Sequence, residues 1–124
     1  MPAPDGVSGP AARCRTALGR AWAADDVGDA VEAVTQRLVA AWSIRLVLRE
    51  GSTLNGNQAA DWALLAELLR RAGEFEQAIG AARRGLAASP PPGVGALLWF
   101  QLELAGAEDD SRHHIGEAIA GLGA

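Results

Sequence analysis

The feature that most constrains the fold of this chain is the spacing of its apolar residues, which recur at intervals of three and four. Such intervals are typical of one face of an α-helix, whereas a half-buried strand alternates apolar and polar residues. No segment alternates in this way, and the apolar run Ile44–Leu48 does not do so either. We therefore predict an all-α fold of about six helices joined by short turns.

Glycine, proline and side-chain capping residues divide the chain into these helices. A first helix is predicted from Ala11 to about Ala24, and a single long helix from Asp26 to Arg49. Four more helices are predicted at 57–72, 74–88, 94–105 and around Ile115–Leu122, with turns at Gly73, Ser89–Gly93 and Asp109–Ser111. We expect the apolar stripe of the long helix to face the core; its members are Val27, Val31, Val34, Leu38, Trp42 and Leu46.

The length of the chain, 124 residues, is enough for one domain and too short for a second. Residues 1–10 are rich in proline and glycine and carry little apolar surface, so we expect them to form a disordered tail. Residues 11–124 are predicted to form a single helical domain, with N-terminal helices at 11–50 followed by hairpins at 59–92 and 93–124.

The stretch Ala59–Pro92 carries the most specific pattern in the sequence. Two helical segments flank Gly73, and small residues lie where the segments would touch. The pattern consists of Trp62, Leu65, Ala66, Gly73, Glu74, Phe75, Ala78, Gly85, Leu86 and Pro90. Its order and spacing resemble the tetratricopeptide repeat, a unit of about 34 residues that folds as two antiparallel helices. We therefore predict a tight helical hairpin, with Gly73 reversing the chain.

The resemblance is weaker outside this stretch. Within it, Leu69 and Ala82 stand where the family usually has aromatic residues. The segment 93–124 resembles a degenerate or capping repeat, because Trp99 and Phe100 fall where a small residue is expected. The resemblance therefore covers roughly half of the chain, 59–92 well and 93–124 poorly, and it implies a short right-handed array of helical hairpins.

The same resemblance implies candidate partner-binding residues. In the family, first helices form the inner, concave surface, and the matching residues here are Ala63, Glu67 and Arg70. Trp99 is a further candidate from the sequence itself, since two adjacent aromatics on a helix cannot easily face one core. Either the helix around Trp99 and Phe100 is enclosed on all sides, or one aromatic stays exposed as an anchor for a partner.

The charge of the chain bears on the kind of partner. The net charge is −4 and all eleven cations are arginines. The acidic excess lies in residues 93–124, and binding to duplex nucleic acid requires a concentrated positive face. The paired arginines Arg70-Arg71 and Arg83-Arg84 could grip an anion, or could complement helix dipoles and nearby glutamates. A nucleic-acid-associated regulator that uses residues 59–88 as a helix-turn-helix stays as the alternative function.

The sequence offers no constellation of residues for catalysis. Cys14 has no neighbouring base and no second cysteine to pair with, so neither nucleophilic catalysis nor a disulfide is expected. His113 and His114 are adjacent, which points them in different directions and disfavours a shared metal ion. We therefore expect no enzyme, no cofactor, no metal site and no membrane insertion. The predicted function is a cytoplasmic, tetratricopeptide-repeat-like interaction module that binds a protein or peptide segment, or a second copy of itself as a homodimer.

Overall fold

The structure, a computed structural model, describes residues 9–112 of the chain and contains five α-helices and no strand over that range. The helices are α1 Pro10–Asp26, α2 Ala30–Arg49, α3 Gln58–Arg71, α4 Phe75–Ala87 and α5 Pro92–Gly106. The predicted all-α fold is confirmed. The predicted helix around Ile115–Leu122 and most of the predicted N-terminal tail lie outside the described residues.

The turn between α1 and α2 lies later in the chain than predicted. Helix α1 continues through Asp26, and Gly28 then adopts a positive φ of 75° that reverses the chain. Asp29 caps α2, since its side chain accepts a hydrogen bond of 3.1 Å from the backbone N–H of Glu32. The prediction that a helix starts at Asp26 is therefore wrong, because the glycine and the capping carboxylate that set the boundary follow it.

The loop between α2 and α3 is held by side chains of α3. Asn57 caps this helix, as predicted, and accepts hydrogen bonds of 2.8 Å and 3.4 Å from the N–H groups of Ala59 and Ala60. The fully buried carboxylate of Asp61 accepts from the backbone N–H groups of Leu54 at 2.7 Å and Asn55 at 3.0 Å. These bonds satisfy loop donors that would otherwise be buried without partners.

Helices α3 and α4 form the predicted antiparallel hairpin. Gly73 reverses the chain with a φ of 83°, and the N–H of Glu74 donates back to the carbonyl of Leu69 at 2.8 Å. Ala66 and Ala78 are fully buried between the two helices, where larger side chains would force the backbones apart. This hairpin is the centre of the fold, because α3 also contacts α2 and α5.

Helix α5 closes one side of this hairpin by packing against both α3 and α4. Leu98 is fully buried at this contact and lies against Gly85. A Cβ atom at position 85 would lie 2.4 Å from Leu98 Cδ2 and 2.9 Å from Trp62 Cβ. Glycine is therefore the residue that lets α4 and α5 approach this closely.

Helix α2 turns a different face to the core than the sequence predicted. The contact with α1 buries small residues, including Ala33, Ala40 and Ala41 of α2 and Ala17 and Ala21 of α1. Most of the predicted stripe points outward instead: Val31 is 79% exposed, Leu38 39% and Trp42 57%, and Val27, which precedes α2, is 80% exposed. Val34 and Leu46 of the same stripe are half-buried. Apolar periodicity located the helix correctly, but the close packing of α1 on the alanine face decided which side is buried. None of the described helices has both the length and the apolar character needed to cross a bilayer.

Candidate binding groove

A groove lies between the C-terminal part of α2 and the α3–α4 hairpin, and we call it the arginine groove. Its volume is about 430 Å³, within the size range of binding pockets for small molecules or short peptide segments. Its walls and floor are formed by Arg45, Leu48, Arg49, Trp62, Leu65, Leu69, Gln77, Gly80, Ala81 and Arg84. The groove lies on the side of the hairpin that faces α2, whereas α5 covers another side, and Trp62 borders both.

The groove is open because α4 presents small residues toward α2. Gly80 has no side chain, and a Cβ atom at this position would meet nothing within 4 Å. Ala81, next to it, is buried and contributes only a methyl group. The backbones of α2 and α4 lie apart in the described residues, and α3 supplies the floor between them with Leu65 and Leu69.

Three arginines line the groove, and contacts with neighbouring side chains hold two of them, Arg45 and Arg84. Arg45 Nη2 donates to Gln77 Oε1 at 2.5 Å, which ties α2 to α4 across the opening. The guanidinium of Arg84 lies 5.5 Å from the ring centroid of Trp62, within cation–π range. Arg49 is exposed at the C-terminal end of α2. The three cations thus lie around one cavity although 39 residues separate the first from the last in sequence.

No carboxylate lines the arginine groove, and none of the described carboxylates forms an ion pair with Arg45, Arg49 or Arg84. One carboxylate contacts a lining residue, since Gln77 Nε2 donates to Glu74 Oε2 at 3.2 Å. The groove is therefore a positive site on a chain whose net charge is −4. An arginine fork recognises carboxylate groups, while Trp62 and the leucines offer apolar surface to a neighbouring side chain.

Two of the four residues predicted to bind a partner lie on no open surface. Ala63 is 8% exposed and packs with Leu98 of α5, and Arg70 is fully buried. The expectation that they face an exposed concave surface is wrong, because α5 covers this side of α3. Glu67 is half-buried beside a small cleft between α1 and α3. Trp99 is 58% exposed, so the alternative of full enclosure is wrong for it, and its role as an anchor stays a prediction.

Arg70 has a structural role that the sequence did not indicate. Its Nε donates to Gln101 Oε1 at 2.7 Å, and its Nη1 donates to the carbonyl oxygens of Asp109 at 2.8 Å and Ser111 at 2.6 Å. Burial lowers the pKa of this guanidinium, and the charges of Glu67 and Asp109 partly offset the effect. Arg70 thus ties the segment after α5 to α3 and is not available to a partner.

Arg71, the second arginine of the Arg70-Arg71 pair, also forms contacts inside the fold. Arg71 Nη2 lies 3.6 Å from Asp25 Oδ2, and the same carboxylate oxygen accepts a hydrogen bond from Arg37. These contacts join the end of α3 to the last turn of α1 and to α2. The arginine pair of α3 is therefore structural, whereas Arg83 and Arg84 of α4 are exposed.

Sequence reasoning missed Arg45 and Arg49, which form the α2 wall of the groove. Each is a single arginine in an otherwise apolar helix end, and nothing in their local pattern relates them to Arg84. The available signal was Gly80, a glycine inside a helix that no turn or close contact requires. An unexplained glycine in a helix interior often marks a packing or functional demand.

Cys14 and the histidine pair give no second candidate site. Cys14 is fully buried, and this burial raises the pKa of its thiol to about 11, so it stays protonated near neutral pH. No group of three or more histidine, cysteine or acidic side chains suited to a metal ion occurs within residues 9–112. His113 and His114 lie outside the described residues.

We compared the chain with known protein families, with curated proteins and with solved structures, and found no match. The resemblance of residues 59–92 to the tetratricopeptide repeat therefore rests on the residues quoted above. The structure confirms that this segment is an antiparallel helical hairpin, and the family assignment stays a prediction.

Proposed function

We propose that this protein is a small cytoplasmic interaction module, with tetratricopeptide-repeat-like architecture, that binds an acidic segment of another protein in the arginine groove. The observation that carries the proposal is the combination of three arginines with Trp62 and two buried leucines around one open cavity that no carboxylate lines. Carboxylates of a bound segment would pair with the arginines, and its apolar side chains would cover the leucines and Trp62.

The shape of the groove supports an extended or short helical segment more than a small metabolite. The opening runs between two helices whose backbones lie apart, so a segment of chain can lie along it beside the hydrogen bond that joins Arg45 to Gln77. Arginine and tryptophan are the residue types most often found at the energetic centre of protein interfaces. The remaining lining residues would exclude water from those contacts.

The proposal is tested with a labelled synthetic peptide that contains only glutamate and leucine, measured by fluorescence anisotropy at low and moderate salt. A peptide of the same length with lysine in place of glutamate serves as the control ligand. We expect the glutamate peptide to bind, the lysine peptide not to bind, and binding to weaken as salt screens the charges. Equal binding of both peptides, or of neither, would contradict the proposed ligand class.

A pair of matched charge reversals locates the site. Arg49→Glu alters the groove, whereas Arg20→Glu makes the same change in net charge on the exposed face of α1. We expect Arg49→Glu to weaken binding of the glutamate peptide by about tenfold, which corresponds to one charge-assisted hydrogen bond. Arg20→Glu should have little effect. Equal losses in both variants would mean that net charge, and not the groove, attracts the peptide.

The exposed Arg83 and Arg84 are the observation that favours the alternative, a nucleic-acid-associated regulator. Against it, Arg70 and Arg71 of the same hairpin are engaged inside the fold, which leaves a narrow basic surface. A gel-shift experiment with random duplex DNA at low salt separates the two functions. A shift that Arg83→Glu abolishes would favour the alternative, because Arg83 does not line the groove.

A further inference from the structure

Helix α2 carries an apolar outer face that no described element covers, and we call it the α2 face. It is formed by Val31, Leu38, Val39 and Trp42, which are between 39% and 79% exposed. Residues 31, 38 and 42 are separated by seven and four positions, so they lie on one side of the helix. Contiguous apolar patches of this kind are uncommon on monomeric proteins and mark contact surfaces.

The α2 face is opposite to the side that holds the helix in the fold. The inward side buries Ala33, Ala40, Ile44 and Val47. Rotating α2 to bury the outer residues would expose these four, so the fold cannot hide both faces with the described elements. The covering surface must come from outside them.

The charges along α2 indicate which surface fits. Asp29 and Glu32 are exposed at the N-terminal end, and Arg45 and Arg49 lie at the C-terminal end. Glu50 comes directly after α2, and its single negative charge leaves the C-terminal end of the helix, with Arg45 and Arg49, net positive. A second α2 helix in antiparallel orientation would set its basic end beside these acids and its acidic end beside these arginines. A parallel copy would instead bring like charges together.

We propose that the α2 face pairs with the same face of a second copy, in antiparallel orientation about a two-fold axis. The resulting contact is isologous, because both protomers use the same surface and every contact between two residues occurs twice, once on each side of the two-fold axis. The antiparallel arrangement also aligns the positive end of each helix dipole with the negative end of its partner. The dimer and the arginine groove share Arg45 and Arg49, since both line the groove and also form the basic end of α2, whereas Val31, Leu38, Val39 and Trp42 do not line the groove.

The dimension of the α2 face sets the expected strength of the dimer. Helix α2 has 20 residues, and a helix of that length is about 30 Å long and about 10 Å wide. Such a strip gives a contact of a few hundred Å² per protomer, below the ~800 Å² per partner of a standard stable interface. We therefore expect a reversible dimer with a dissociation constant in the micromolar range, on the order of 10 μM.

The proposal is tested by sedimentation equilibrium of the full chain over concentrations that bracket the expected dissociation constant. Trp42→Ser removes the largest side chain of the α2 face, and Trp99→Ser is the matched control, since the two tryptophans are 57% and 58% exposed. We expect Trp42→Ser to weaken dimerisation at least tenfold. Trp99→Ser should leave it unchanged. A parent protein that stays monomeric at every concentration, or equal loss in both variants, would overturn the proposal.

A charge-swap experiment tests the orientation in the same protein. Glu32→Arg should weaken the dimer several-fold, and adding Arg45→Glu should restore it, because residues 32 and 45 lie at similar distances from the centre of the α2 face and come close across an antiparallel interface. The control adds Arg20→Glu to Glu32→Arg, which gives the same net charge away from the α2 face. Restoration by the control as well, or by neither second change, would overturn the antiparallel arrangement. Sedimentation is measured without peptide, and Trp42 and Glu32 do not line the groove, so a failure of the dimer leaves the peptide-binding result unchanged.

Discussion

The α3–α4 hairpin is covered by α5 on one side and carries the open arginine groove on another. Helix α4 contributes one glycine to each side, Gly85 beside α5 and Gly80 in the groove. At Gly85 a Cβ atom would lie 2.4 Å from Leu98 Cδ2, whereas at Gly80 it would meet nothing within 4 Å. The first glycine permits close packing against α5, and the second leaves a space between α4 and α2. The same residue type thus supports stability on one side and an open groove on the other, so glycine content alone does not distinguish the two roles.

We expect the largest loss of stability from Leu98→Ala, on the side of the hairpin that α5 closes. Leu98 is fully buried, so the change should lower the free energy of unfolding by about 3 kcal/mol through lost burial and a residual cavity. Urea unfolding followed by circular dichroism measures the loss. Trp99→Ala removes a larger but mostly exposed neighbour and should cost less than about 1 kcal/mol. Equal losses would mean that α5 does not close this side of the hairpin.

The closed side is tested next by Gly85→Ala. The added methyl group meets Leu98 and Trp62, so the free energy of unfolding should fall by about 2 kcal/mol despite the higher helix propensity of alanine. The loss should be smaller in a Leu98→Ala background, where the space is empty. A double-mutant cycle measures this coupling, and strictly additive effects would show that Leu98 is not what the new methyl group meets.

A pH titration tests whether the main core stays closed to water, since Cys14 lies in the core cluster that joins α1 and α2 to the hairpin. Burial raises the pKa of this thiol from 9.0 to about 11. Above pH 9 the unfolded chain loses the proton that the folded chain keeps, so stability falls with rising pH until about 11. The expected loss is about 2 kcal/mol.

The sequence makes this titration unusually clean, since it contains no lysine and no tyrosine that would titrate in the same range. Cys14→Ala is the control, and its stability should vary little between pH 9 and 11. The measurement is urea unfolding at several pH values. The same alkaline slope in the parent and in Cys14→Ala would mean that the thiol is not kept from water.

The smallest effect is expected from Gly80→Ala, and it has the opposite sign to Gly85→Ala. Nothing obstructs the new methyl group, and alanine favours the helix interior over glycine by up to about 1 kcal/mol. The melting temperature should therefore rise slightly. A melting temperature that falls as far as that of Gly85→Ala would remove the difference between the two sides of the hairpin.

Local signals in the sequence predicted the local structure well. Asn57 and Gly73 sit at the cap and the turn that their chemistry indicates, and the hairpin between them folds as expected. The sequence did not predict which helix faces would be buried. The stripe of Val31, Leu38 and Trp42 has helical spacing, but spacing does not say which face a neighbouring helix will cover.

The candidate site was harder to predict than the fold, because tertiary contacts create it. Ala63 and Arg70 were expected on an open surface, yet α5 packs over both, and no residue pattern on α3 records that contact. Arg49 and Arg84 meet at the groove although they belong to different hairpins of the chain. Sequence reasoning could single out arginine pairs but could not determine which guanidinium groups would be engaged inside the fold.

The claim that the open side of the hairpin binds a ligand is tested most directly by filling the groove at Gly80. Gly80→Leu projects a side chain into the cavity, and Gly80→Ala is the control that changes helix propensity without filling it. Binding of the glutamate–leucine peptide is measured for both variants by fluorescence anisotropy. We expect Gly80→Ala to bind like the parent and Gly80→Leu to bind at least tenfold more weakly while remaining folded. Undiminished binding by a folded Gly80→Leu variant would contradict a ligand in this groove.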